Sequence, residues 1–161
     1  MITVERLKEV LEYMPESGLF YWKKPPGNHA RLYLSTAGSI TTGYVLIRID
    51  GQKYKAHRLA WLYSHGEWPS SDIDHKNGCP LDNRISNLRV ATCSQNQANK
   101  RRRIGKPLQK GIRKLPSGKF NARITVSGET LNIGSYKSVD EAAMAYAYAA
   151  RFYYSDFSRS A

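Results

Sequence analysis

The sequence predicts an α+β protein of two small units, each a short sheet with a helix laid against it. Three observations predict it. Asp50-Gly51 is a hairpin signal between Tyr44 to Asp50, a run rich in β-branched and aromatic residues, and a returning strand, Gln52 to Ala56. A second group of strand-like runs, Gly111 to Leu115, Phe120 to Val126 and Thr130 to Tyr136, is joined by Pro116-Ser117-Gly118 and Ser127-Gly128. Between the two groups begins a stretch, Lys100 to Arg123, with ten basic residues and no acidic one.

In chain order, Val4, Leu7, Leu11 and Met14 recur at helical spacing and predict a helix from Thr3 to Met14, broken by Pro15 and Gly18. Leu19 to Trp22 reads as a short strand ended by Pro25-Pro26-Gly27. After the hairpin, a helix is expected from His57 to His65, closed by Gly66 and Pro69. A polar stretch rich in Asn and Gly follows, Ile73 to Asn87, of the length and composition that functional loops have. Leu88 to Thr92 reads as a strand and Ser94 to Lys100 as a helix with Ser94 as N-cap. In the second unit, Ser138 and Glu141 form a capping box. The helix it opens carries a core stripe of Val139, Ala142, Ala143, Tyr146, Ala149, Ala150 and Tyr153. The implied organisation is a scaffold at 1–50, a core at 51–100, a basic linker at 101–109 and a second unit at 110–157.

Composition narrows the function classes. Hydrophobic content of 41% and charged content of 24% over 161 residues describe a folded chain. Lys+Arg of 25 against Asp+Glu of 13 leaves a formal charge of +12, the footprint of a polyanion partner, nucleic acid first among them. No apolar anchor or spanning run points to a membrane. Cys79 and Cys93 alone give neither a disulfide framework nor a four-cysteine zinc site. The N-terminus lacks a signal pattern, so a reducing cytoplasm is expected.

The polar loop carries the chemistry. It runs from Asp74-His75-Lys76-Asn77-Gly78 through Asp82-Asn83-Arg84 to Asn87-Leu88-Arg89, and Asn96 follows. Phosphodiester hydrolysis needs a base for water, a hard cation for the leaving oxygen and groups that hold the backbone. A histidine beside a carboxylate, a carboxamide from a following helix and several arginines can supply these.

With His57-Arg58-Leu59 ahead of it, this run from about Ala56 to Asn99 resembles the HNH endonucleases of the phage and intron-encoded homing branch. The resemblance implies a ββα-metal fold holding one divalent cation, Mg²⁺ or Mn²⁺. It makes Asp74 and Asn96 the metal ligands, His75 the general base and Asn87 the residue that braces the loop. His57 reads as structural or near DNA, His29 and His65 as surface residues. Arg84 and Arg89 are candidate phosphate contacts, and Arg101, Arg102 and Arg103 in the linker are further candidate DNA contacts.

Lys110-Gly111-Ile112-Arg113, Gly118 to Ile124, Ile133-Gly134-Ser135-Tyr136 and Glu141-Ala142-Ala143 make the second unit resemble the AP2/ERF DNA-binding domains. Those pair a three-stranded antiparallel sheet with a helix and lay the sheet in the major groove. Arg113, Lys119 and Arg123 become the expected DNA contacts. The pattern departs from the plant domains at Leu115, Ser117, Thr125 and Asn132.

The expectation is a metal-dependent DNA endonuclease, a phage homing enzyme acting on double-stranded DNA in the host cytoplasm. Two alternatives stand beside it: a DNA-binding regulator on a degenerate HNH scaffold, and a binder of structured RNA. The sequence shows no heptad or other dimerisation pattern. Oligomeric state stays open, with a nicking monomer favoured.

Overall fold

The computed structural model describes residues 1–27, 33–99, 108–154 and 157. His29 and the linker residues Arg101, Arg102 and Arg103 lie outside the described residues. The chain divides into two compact units, Met1–Val90 and Ala91–Ala161.

In the first unit, α1 (Val4–Val10) starts at Thr3, whose hydroxyl accepts from the Arg6 amide at 3.3 Å. The helix expected to reach Met14 stops early. Leu11–Met14 is instead a strand, β1, paired antiparallel with β2 (Leu19–Trp22). Leu11 serves either period, but a partner strand lets Leu11 and Tyr13 bury while Glu12 and Met14 face out. That pairing outweighs helical continuation.

A strand the sequence did not announce, β3 (Ser39–Thr41), turns at Thr42-Gly43 into β4 (Tyr44–Ile49). The expected hairpin then joins β4 to β5 (Gln52–Lys55), with Asp50 and Gly51 at φ of 49° and 81°. The sheet order is β3–β4–β5. Ile47 and Ile49 point inward to Leu7, Leu11, Phe20 and the buried Leu59 and Leu62 of α2 (Ala56–His65). Gly66, left-handed, ends α2 as expected. β6 (Asp72–His75) pairs with β7 (Leu88–Ala91), and one turn of helix, Ile85–Asn87, lies between them in sequence.

In the second unit, α3 (Cys93–Asn99) is capped by Thr92, not by Ser94. Thr92 Oγ1 accepts from the Gln95 amide at 3.3 Å, and Gln95 Oε1 accepts from the Thr92 amide at 2.8 Å. This reciprocal box satisfies two donors where a lone serine would satisfy one. β8 (Ile112–Lys114), β9 (Phe120–Val126) and β10 (Glu129–Tyr136) form an antiparallel sheet against α4 (Val139–Tyr154). Ser138 and Glu141 cap α4: the Ser138 hydroxyl accepts from the Glu141 amide, and the Glu141 carboxylate accepts from the Lys137 amide. The core stripe is corrected at its end. Tyr153 is exposed, while Tyr154 is buried and donates its hydroxyl to the Thr125 carbonyl. Among the described residues no helix is long and apolar enough to cross a membrane.

Candidate active site

β6 delivers Asp74 and His75 side by side, 4% and 6% exposed, at the point where the chain leaves the strand for the polar loop. A carboxylate so far from water needs a cation. Arg89, on β7, supplies it: Nη2 lies 2.8 Å and Nε 2.9 Å from Asp74 Oδ2.

The loop after His75 is held by its own side chains. The Gly78 amide donates to the His75 carbonyl at 2.7 Å, and the Lys76 amide to the Asn87 carbonyl at 2.8 Å. The Asn87 carboxamide accepts from the Asn77 amide at 3.0 Å and donates to Asn77 Oδ1 and the Asp82 carbonyl at 3.1 and 2.8 Å. Asn77 Nδ2 donates to Asp82 Oδ2 at 2.6 Å. Asn87 is therefore tied to the residues directly following His75.

Two arginines are held by carboxylates. Arg89 is on Asp74, and Arg84 grips both oxygens of Asp82 at 2.8 and 2.6 Å. The Arg84 guanidinium, first among several hydrogen bonds, holds the Asp82 carboxyl down at about 2.

Two aromatic rings flank His75, the candidate base. His57 meets His75 edge-on, with ring centroids 5.0 Å apart, and Tyr44 lies 5.5 Å from His57 and 6.4 Å from His75. Burial pushes His57 down to about 3, with His75, Lys55 and Arg58 adding repulsion, so the ring is neutral. Burial also lowers His75, opposed by the Asn83 carboxamide and then by Asp74 and Asp82. A neutral imidazole is the form that can accept a proton from water.

The N-terminal hairpin braces the same loop. The Tyr13 hydroxyl donates to the Asn83 carbonyl at 2.7 Å. Gly18, at φ of 73°, is packed so tightly that a Cβ there would stand 2.5 Å from the Arg84 amide nitrogen. Sequence reasoning gave residues 1–50 a scaffold role and assigned Tyr13, Gly18 and Tyr44 no part in the site. Tyr13 and Gly18 lie about 70 positions away from their partners, and nothing local marks them.

Asn96 sits half-buried in α3 of the second unit, its amide donating to the Thr92 carbonyl at 2.9 Å. Arg113 and Arg123 are exposed on one face of the β8–β9–β10 sheet, and Lys119 is exposed beside it in the turn before β9. Arg123 Nε donates to Asn121 Oδ1 at 2.7 Å. His65 is exposed and stacked on Trp61. Cys79 and Cys93 are both free thiols. Among the described residues no three His, Cys, Asp or Glu side chains converge as a metal cluster.

Residues 54–98 match the profile of the HNH endonuclease family. An uncharacterized HNH endonuclease of Acanthamoeba polyphaga mimivirus is 33% identical to the chain over 102 residues, 62% of this chain and 53% of that relative. The chain spans about half the length of the curated relative it matches. No solved structure matches it. Asp74, His75, Asn87, Arg89 and Asn96 all fall inside the segment that matches the HNH endonuclease family.

Proposed function

We propose that the chain is a metal-dependent DNA endonuclease that hydrolyses phosphodiester bonds with His75 as general base. The observation that carries this reading is the buried Asp74-His75 pair at the end of β6, braced by Asn87 and lying within the HNH-matched segment. His75 takes a proton from water as its oxygen attacks phosphorus. The bond to the 3′ oxygen breaks, and that oxygen takes up a proton. The ends are a 5′-phosphate and a 3′-hydroxyl. Asn87 holds the loop, and with it the direction of the His75 ring.

The donors suit a hard cation. Asp74 offers a buried carboxylate oxygen, the kind of ligand that Mg²⁺ or Mn²⁺ takes while keeping water and phosphate for the rest, and Asn96 is the second ligand this reading assigns. Bound there, the ion would supply positive charge for the departing 3′ oxygen.

The partner is double-stranded DNA in the bacterial cytoplasm, and the biological role is phage-type homing by a monomer. Targeting belongs to the second unit, read as an AP2/ERF-like domain. Support for that comes from its antiparallel sheet and helix, with Arg113, Lys119 and Arg123 exposed on or beside one sheet face.

The Arg89–Asp74 ion pair favours a second reading, since a guanidinium neutralises the carboxylate without a metal. On that reading the chain is a non-enzymatic DNA-binding regulator. A plasmid-nicking assay across a divalent-metal series separates the two. The endonuclease nicks with Mg²⁺ or Mn²⁺ and loses this in Asp74→Ala, His75→Ala and Asn96→Ala; the regulator binds tightly and cuts with no ion.

A further inference from the structure

The outer face of the β3–β4–β5 sheet carries a cluster of exposed cations, of which Arg48 donates through Nε to the Gly51 carbonyl at 3.2 Å and Lys55 lies over the Tyr44 ring. Along β4 the side chains alternate: Ile47 and Ile49 enter the core, and Tyr44, Leu46 and Arg48 take the other face. The register sets Arg48 directly opposite Lys53 and Leu46 opposite Lys55. Arg48, Lys53 and Lys55 are all exposed. Like charges placed directly across a strand pair destabilise a sheet. No strand position on this face bears a carboxylate to relieve them: β3 contributes Ser39 and Thr41, opposite Leu46 and Tyr44. The carboxylate at the hairpin turn, Asp50, is taken by Arg6 at 2.9 and 3.0 Å.

The face also leads to the candidate base. Lys55 Nζ lies 4.8 Å from the Tyr44 ring centroid, and Tyr44 lies 6.4 Å from the His75 ring. Tyr44 and Arg48 are four residue steps apart along β4, roughly 13 Å at strand rise. That length matches about four base-pair steps of B-form DNA.

From this we infer that the outer face of β3–β4–β5 is the nuclease unit's own track for the DNA sugar-phosphate backbone beside the cut. Arg48, Lys53 and Lys55 neutralise phosphates on it, and the Ser39 and Thr41 hydroxyls donate to the same backbone. The inference rests on the endonuclease reading above and assigns a DNA contact surface outside the second unit. Its contacts are to phosphate, so they act on every sequence alike.

The test compares the full chain with two variants, Arg48→Gln/Lys53→Gln/Lys55→Gln and Lys8→Gln/Lys23→Gln. The second pair is exposed on the same unit, in α1 and just after β2, outside the strands of this sheet. Binding to a labelled random-sequence DNA duplex is followed by fluorescence anisotropy through a salt series. Each phosphate contact contributes about 0.9 to the log–log salt slope, so the first variant should lose roughly 2 to 3 from the slope and about tenfold or more in affinity. Its melting temperature should hold or rise, because the Arg48–Lys53 repulsion is gone. The second variant should keep the parent slope to within about one contact. Equal slopes and affinities for the first variant and the parent, or an equal loss in both variants, overturn the track and leave the endonuclease reading standing. A parent that binds no DNA overturns both. Loss confined to duplex RNA, with DNA binding unchanged, replaces the DNA track with an RNA one.

Discussion

Arg89 and Asp74 form the most buried ion pair described in the molecule, both amine donors of the guanidinium edge meeting a single carboxylate oxygen. The side chains are 14% and 5% exposed, so removing one strands the other away from water. Arg89→Ala should therefore destabilise the metal-free protein by about 3 to 5 kcal/mol. Urea unfolding in chelator measures this. Added Mn²⁺ should restore part of the loss if Asp74 takes the cation, and an unchanged midpoint on adding Mn²⁺ would count against Asp74 as a ligand.

The pH dependence of cleavage should carry the mark of His75. Burial lowers its proton affinity below the ordinary histidine value, against weaker support from Asn83 and Asp74. The base must be neutral to act, so lowering the folded value extends activity to more acid conditions. Single-turnover nicking at saturating Mn²⁺ should stay level as pH falls through about 6.5 and decline only below it. An acid limb centred above about 6.5 contradicts the assignment.

Acid should loosen the loop at Asp82. Its carboxyl is depressed from an ordinary 3.8 to about 2, with Arg84 the largest cause. A depressed acid contributes stability that is complete above 3.8 and disappears as pH falls through about 2. The amount is on the order of 1 to 2 kcal/mol, discounted because Arg84 is half in solvent. Comparing unfolding of the parent and Asp82→Asn down through that window should show the difference closing at the acid end.

Gly18→Ala tests the brace from the N-terminal hairpin. The position combines a left-handed φ with backbone contact to Arg84, so alanine is strained in both respects. Nicking should fall by tenfold or more while DNA affinity in chelator stays near that of the parent. A fall in affinity with cleavage preserved would show that the hairpin does not brace the loop.

Local pattern made much of this legible and long-range pairing hid the rest. Asp50-Gly51 announced its hairpin because both residues accept positive φ, a property of the residues themselves. Asp74, His75 and Asn87 were nameable because they sit in one run with recognisable order. Leu11 was not assignable, since its strand exists only when Leu19–Trp22 lies beside it. Tyr153 and Tyr154 differ by one position at the end of a period that is not a whole number, and packing chose the second. Arg84 and Arg89 look like any phosphate-seeking arginines in sequence; only the fold shows Asp82 and Asp74 against them.

The hydrogen bond from Tyr13 to Asn83 has a consequence for how the protein is made. It joins residues 70 positions apart, and such contacts form late in folding because so much chain must first be closed. A ribosome releases Tyr13 and Gly18 well before Asn83, so the brace can be waiting when the polar loop emerges. A circular permutant that moved the hairpin to the C-terminus would keep every native contact and reverse that schedule, leaving the loop to be synthesised before the surface that shapes it.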